Sequence, residues 1–169
     1  QVMVQTGEHI FEKLVRTGNL EGDYLKKILA EVSDLMEKYG EDFLTIVLDP
    51  YPSPDYLSYH SANCAILSII IGQELKMSAE EVKELALAGF LHDAGLLGIR
   101  ENLDYPKPLT PELKTEILKH PERGVALLGE NVSQEILTAS LQHHETMNGK
   151  GYPKGLAGEE IHPFAKILQ

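Results

Sequence analysis

Apolar residues recur along most of the chain at steps of three and four, the spacing that puts side chains on one face of an α-helix. No sustained stretch alternates apolar and polar residues with a period of two, as a half-buried strand would. The pattern therefore predicts an all-α fold. Helices are predicted over residues 8–15, 23–39, 56–76, 79–93, 111–120 and 134–145.

Local signals place several helix boundaries. Ser78 and Glu81 have the spacing of a capping box, and Thr110 followed by Pro111 is a good cap and first-turn pair. Prolines at 50, 52 and 54 break the chain, and Pro121 restarts it after the fifth helix. Glycines at 95 and 98 predict a loop that prolines at 106 and 108 continue, and the glycine-rich residues 149–158 predict another.

The helix predicted over residues 23–39 carries a narrow apolar seam. Its apolar positions are Leu25, Ile28, Val32, Leu35 and Tyr39. Steps that alternate between three and four residues are typical of a helix that packs on a core. The same spacing is also typical of a helical dimer seam, so a homodimer is the second interpretation.

The bulk properties narrow the classes of protein. The 169 residues suffice for one domain with a hydrophobic core, and the longest apolar run, residues 65–71, is far short of the ~20 residues that span a bilayer. The single cysteine, Cys64, excludes an internal disulfide and favours a reducing compartment, the cytoplasm. A net charge of −11 argues against polymeric nucleic acid as a partner, whereas bound cations could neutralise a small phosphate-bearing substrate locally.

Five of the seven histidines end or continue the apolar faces of predicted helices, and an aspartate accompanies them. These residues are His60, His92, Asp93, His120, His143 and His144. A single core histidine is usually hydrogen-bonded to backbone, but five on four helices have a simpler common explanation in a shared metal centre. Nitrogen and oxygen ligands suit iron, manganese or zinc. The other two, His9 and His162, are interpreted as surface or capping residues.

The order of these residues resembles that of HD-GYP domains. The matching motifs are residues 59–61 (YHS), 92–95 (HDAG), 119–122 (KHPE), 143–145 (HHE), 149–156 (GKGYPKGL) and 164–168 (FAKIL). A His-Asp pair alone is a weak signal, whereas the ordered set is highly specific. The resemblance covers residues 55–169, and the preceding helices are similar to the lead-in that this family carries.

The resemblance implies an HD-domain-like helical bundle around a metal centre. The implied activity is a metal-dependent phosphodiesterase that hydrolyses cyclic di-GMP to linear pGpG or to GMP, with a hydroxide between two cations as the nucleophile. The implied cofactors are two metal ions, most often iron or manganese. One would be held by His60, His92 and Asp93, and the other by Asp93, His120, His143 and His144. Asp93 bridges the two ions and is therefore the implied catalytic residue.

Several positions depart from the family pattern. Leu96 replaces a lysine available to the phosphate, Asn148 replaces an aspartate, and Tyr56 replaces a glutamate that trinuclear members place one turn before the first histidine. A two-metal site is therefore expected.

The ends of the sequence suggest a segment of a longer protein. The family's last metal ligand would fall shortly beyond Gln169, so the domain is expected to continue past this residue. Residues 1–50 are predicted to form a helical lead-in that packs on the domain, and residues 51–169 to form the HD-GYP-type domain with its C-terminal end cut off.

Two interpretations of function stay open. The first is an active cyclic-dinucleotide phosphodiesterase, which the five histidines favour. The second is a domain that binds nucleotide or protein partners without turnover, which Leu96 favours because an apolar side chain cannot donate to a phosphate.

The loop over residues 149–158 also has two interpretations. It is either a turn that packs beside the site or a lip for substrate or a regulatory protein partner. As a lip, Tyr152 would stack on or hydrogen-bond to the substrate, and Lys150 or Lys154 would offer charge.

Overall fold

The computed structural model describes residues 2–17, 30, 56–103 and 109–169. The described ranges contain seven α-helices and no strand, which confirms the all-α prediction. The helices are α1 (Val2–Thr17), α2 (Tyr56–Glu74), α3 (Ala79–Leu91), α4 (Pro111–Leu118), α5 (His120–Leu128), α6 (Gln134–Gln142) and α7 (Pro163–Leu168). Short 3-10 helices cover Ala94–Asn102, Gly129–Asn131 and Gly158–Glu160. Among these helices, none combines the length and apolar character that a membrane span requires.

Several predictions concern segments outside the described residues. The apolar seam from Leu25 to Tyr39 lies there, as do the prolines at 50, 52, 54, 106 and 108. The seam therefore keeps both of its interpretations.

The core lies between the α2–α3 hairpin and the helices that cover it. Helix α1 packs on α2, and Phe11 of α1 stacks on Phe90 of α3 with ring centroids 5.2 Å apart. Both phenylalanine side chains are fully buried. Helices α2 and α3 approach closely at Gly89, where a Cβ atom would lie 2.5 Å from Ser68 Oγ. This contact fixes the spacing between the two helices that carry the first residues of the site.

Caps set two of the helix starts as the sequence predicts. Glu81 N–H donates to Ser78 Oγ and Ser78 N–H to the Glu81 carboxylate, which is the predicted capping box. Thr110 Oγ1 accepts from Leu113 N–H at the start of α4. The two histidines set aside from the cluster also behave as predicted, because His9 is exposed and His162 Nδ1 caps α7.

Three details of the prediction are wrong. The segment with Gly95 and Gly98 is a 3-10 helix rather than a loop, and α6 ends at Gln142 rather than at 145. The sequence pattern places Cys64, Leu67, Ile71 and Leu75 on one apolar, inward face with His60, but Cys64 and Leu67 are only half-buried, and Ile71 and Leu75 are 38% and 61% exposed. The buried face of α2 instead contains Ala65, Ile69 and Gly72, and Gly72 still meets Val82 and Leu85 of α3 near the end of the helix.

Gly95 is required where the 3-10 helix touches α5. A Cβ atom on Gly95 would lie 2.0 Å from the carbonyl oxygen of His120, whereas one on Gly124 would lie 3.4 Å from its nearest neighbour. We therefore expect Gly95→Ala to lower the free energy of unfolding by about 1–3 kcal/mol or more, as overpacking does. Gly124→Ala should be neutral or stabilising, since alanine favours the helix by about 1 kcal/mol. Urea unfolding of both variants measures the difference, and equal midpoints would contradict this account of the contact.

Candidate metal centre

The ends of three helices and the first turns of α2 bring the predicted cluster together. His60 lies in α2, His92 and Asp93 follow α3, His120 opens α5, and His143 and His144 follow α6. His92, His120 and His143 are at most 4% exposed, and Asp93 is 8% exposed. Such buried polar groups must be satisfied by one another or by a ligand.

The Asp93 carboxylate lies at the centre, between two pairs of histidines. Its Oδ2 is 3.4 Å from His60 Nε2 and 3.3 Å from His92 Nε2. Its Oδ1 is 3.1 Å from His120 Nε2 and 3.5 Å from His143 Nε2. Each oxygen therefore faces its own pair of ring nitrogens, the arrangement expected of a carboxylate that bridges two cations.

Backbone contacts fix the ring orientation of three of these histidines. In His92, His120 and His143, Nδ1 lies 2.8, 2.7 and 2.8 Å from the carbonyl oxygen of the residue three positions earlier. A carbonyl oxygen can only accept, so Nδ1 must donate its proton. In the neutral ring, Nε2 then carries a lone pair that points into the site, as in metal-ligating histidines.

These lone pairs face one another across short distances. His120 Nε2 lies 3.0 Å from His143 Nε2, and His60 Nε2 lies 3.3 Å from His92 Nε2. His120 Nε2 and His143 Nε2 both lack a proton in the neutral rings, so these two atoms cannot hydrogen-bond to each other. His60 has no such backbone contact, and a proton on its Nε2 could be donated to His92 Nε2. Ligands that each lie about 2 Å from a common cation are separated by roughly 3 to 3.5 Å, which is the spacing found here. The donor set therefore fits a metal ion in each half of the site.

His144 joins the half that contains His120 and His143. Its ring centroid is 4.1 Å from that of His143 and 5.0 Å from that of His120. Donor atoms of Asp93, His120, His143 and His144 all lie within 4.8 Å of one another, so these four residues could hold one ion.

The electrostatics of the site keep Asp93 ionised and His144 neutral, whereas hydrogen bonds with Asp93 and then with Cys64 raise the pKa of His60 to about 10. A cation that binds His60 therefore displaces a proton from this ring. Burial raises the pKa of Asp93, but positive charge facing the carboxylate, from His92 above all, outweighs burial and holds that pKa well below its usual range, as a bound cation would. Burial, with the neighbouring His143 and His120, lowers the pKa of His144 to about 4. At neutral pH the carboxylate is an anion and His144 is a neutral imidazole.

A sulfur donor, which the sequence did not single out as a ligand, lies in the other half of the site. Cys64 Sγ is 3.5 Å from His60 Nε2, and donor atoms of His60, Cys64 and His92 all lie within 4.8 Å of one another. The spacing of four residues between His60 and Cys64 was the available signal, because it places both on one face of α2.

The three departures from the family pattern have different surroundings. Tyr56 stacks on the His60 ring with centroids 5.6 Å apart, so an aromatic ring occupies the turn before this histidine. Leu96 is 7% exposed and belongs to the hydrophobic core. Asn148 Oδ1 accepts from Lys150 N–H and Thr146 Oγ1–H, which stabilises the turn after the paired histidines.

The loop over residues 149–158 packs directly on His144. Tyr152 N–H donates to the carbonyl oxygen of His144, and the Tyr152 ring stacks on the His144 ring with centroids 4.6 Å apart. Gly151 permits this contact, because a Cβ atom there would lie 2.3 Å from the same carbonyl oxygen. The side chains of Lys150 and Lys154 are exposed. This geometry supports the interpretation that the loop packs beside the site. Contact of the loop with substrate or a protein partner stays a prediction.

Glu145 holds the loop in place. Its fully buried carboxylate accepts from Lys154 N–H at 2.6 Å and from Leu156 N–H at 2.8 Å. Sequence reasoning placed Glu145 in a motif without a role, because its partners are residues that only the folded loop brings near.

Glu145→Gln should release the loop. The amide offers one oxygen where two backbone donors need an acceptor, and an unsatisfied buried donor costs about 1–3 kcal/mol. We expect faster hydrogen exchange at the amides of Lys154 and Leu156, with little change in α2 and α3. Glu159→Gln is the matched control, because its side chain is 95% exposed and its partner is a surface lysine. Unchanged exchange in Glu145→Gln would contradict the role assigned to this carboxylate.

Comparison with known proteins agrees with the geometry. The family model described as HD domain matches residues 24–169. The chain belongs to the HD domain family. This membership confirms the resemblance drawn from the sequence motifs.

Curated relatives of this HD domain include three named as cyclic di-GMP phosphodiesterases. One from Pseudomonas aeruginosa is 34% identical over 118 residues, which is 68% of this chain and 28% of the relative. PdeB from Borreliella burgdorferi is 29% identical over 169 residues, 99% of this chain and 45% of the relative. One from Thermotoga maritima is 34% identical over 162 residues, 86% of this chain and 43% of the relative. The chain thus spans less than half the length of each of these relatives.

Proposed function

We propose that this HD domain hydrolyses a cyclic dinucleotide, cyclic di-GMP above all, at a centre of two metal ions. The observation that carries the proposal is the convergence of four histidine Nε2 atoms on the two oxygens of Asp93. The names of the relatives support the substrate, because four matching proteins are called cyclic di-GMP phosphodiesterases.

The two ions would share Asp93. One would be held by His60, His92 and Asp93 Oδ2, and the other by Asp93 Oδ1 with His120, His143 and His144. Nitrogen and oxygen ligands make iron and manganese the expected metals. When bound, the cations supply an activated water as nucleophile and neutralise the charge of the phosphate. Asp93 would hold both ions at a fixed separation, and linear pGpG or GMP would be the product.

The loop beside His144 would contact the substrate. Tyr152 already lies against a metal-ligand candidate, so a base or ribose bound at the centre would come within reach of its hydroxyl. Lys150 and Lys154 flank Tyr152 in a chain whose net charge is −11. Positive charge close to the centre would therefore help to bring an anionic dinucleotide to it.

Metal content and turnover test the proposed function together. We expect the chain, when it is purified without oxygen, to bind two iron or manganese ions and to hydrolyse cyclic di-GMP. His120→Ala and Asp93→Ala should lower turnover at least about 1,000-fold, because the cations and their activated water supply most of the catalysis. His9→Ala is the control, since His9 is exposed and lies outside the cluster.

Two outcomes would contradict the proposal. Fewer than two ions per chain would contradict the two-metal centre. Two ions with binding but no cleavage of cyclic di-GMP, or of another cyclic dinucleotide, would instead favour a domain that binds nucleotide without turnover.

A further inference from the structure

We infer that Cys64 is a thiolate ligand of the metal ion held by His60 and His92. The inference rests on the proposed metal centre and goes beyond it, because it makes the two halves of the centre chemically different. One half would combine sulfur with nitrogen and oxygen, and the half around His120 would have nitrogen and oxygen alone.

The distances around His60 carry the inference. Three donor atoms surround its Nε2, namely His92 Nε2 at 3.3 Å, Asp93 Oδ2 at 3.4 Å and Cys64 Sγ at 3.5 Å. In a tetrahedral site, zinc–nitrogen bonds of about 2.0–2.1 Å and a zinc–sulfur bond of about 2.3 Å separate two nitrogens by roughly 3.3 Å and nitrogen from sulfur by roughly 3.5 Å. All three donors therefore lie at the separations expected for ligands of one cation.

The fold also holds the His60 and Cys64 side chains next to each other. His60 and Cys64 are one turn apart on α2, and Tyr56 stacks on the His60 ring from the preceding turn. Helix α3 contacts the backbone of Cys64 at Gly89, where a Cβ atom would lie 2.9 Å from the Cys64 carbonyl oxygen. This contact sets the distance between Cys64 and His92, which follows α3.

A hydrogen bond between the thiol and His60 is the competing explanation. Sγ is closer to Nε2 than to Nδ1 of His60, at 3.5 Å against 3.9 Å, as a weak S–H donor would also be. This explanation requires a proton on His60 Nε2, which Cys64 Sγ, His92 Nε2 and Asp93 Oδ2 would share as acceptors. A cation bound by all three residues satisfies His60, His92 and Cys64 together, and the thiol loses its proton to solvent as the cation binds.

A thiolate ligand would change which ion this half prefers. Soft sulfur favours zinc, iron(II) and cobalt over manganese, whereas the half around His120 has no such preference. We therefore expect the two halves to differ in metal affinity.

Cobalt(II) titration of the metal-free chain tests the ligand directly. Cobalt bound to a thiolate gives a near-ultraviolet charge-transfer band, and Cys64 is the single cysteine of the chain, so any such band must come from it. We expect the band in the unchanged chain and in His120→Ala, and its loss in Cys64→Ser and Cys64→Ala. Both cysteine variants should also bind the ion of this half at least about 10-fold more weakly, since even the loss of an outer-sphere partner costs about 10–100-fold.

The outcomes separate this inference from the proposed function. Cobalt binding without the band in the unchanged chain would overturn the thiolate ligand, as would an equal affinity in Cys64→Ala. Hydrolysis of cyclic di-GMP without the band would overturn the ligand alone. The band without hydrolysis would support the ligand and overturn the proposed function. Circular dichroism of both cysteine variants confirms that the helices remain, and Cys64→Ser keeps a polar side chain of similar size.

Discussion

The structure depends on one buried carboxylate held between facing histidine nitrogens. Asp93 places each of its oxygens 3.1–3.5 Å from two Nε2 atoms, and pairs of those Nε2 atoms lie 3.0 and 3.3 Å apart. Nδ1–H of His92, His120 and His143 donates to a backbone carbonyl oxygen, so Nε2 of each of these rings presents a lone pair to the site. Only positive charge between them makes such a cluster favourable in a buried position.

The surrounding fold serves to bring these groups to one place. The ligand candidates lie in the first turns of α2 or directly at the ends of α3, α5 and α6. At these helix ends a histidine ring can hydrogen-bond to the carbonyl oxygen three residues earlier. Gly89 and Gly95 let helix backbones meet without an intervening side chain. The buried carboxylate of Glu145 ties the neighbouring loop to the same point. Close backbone contacts therefore fix the distances on which a two-metal site depends.

Much of this could be predicted from the sequence, and the remainder could not for physical reasons. Helical spacing, caps at Ser78 and Thr110, and histidines at the ends of apolar stripes are local features, so the fold class and the cluster followed from them. Other features depend on distances between elements far apart in sequence. These are the pairing of each Asp93 oxygen with two histidines, and the hydrogen bonds of Glu145 to the loop. Cys64 was visible beside His60 on α2, but its closeness to His92 depends on how α2 meets α3 at Gly89.

Anomalous diffraction from crystals of the metal-loaded chain would show whether Asp93 bridges two metal ions. Data collected at the absorption edge of the bound metal would locate each ion relative to Asp93. We expect two peaks, one beside Oδ2 with His60 and His92, and one beside Oδ1 with His120, His143 and His144. A single peak, or ions bound away from the carboxylate, would contradict the claim that Asp93 bridges two metals.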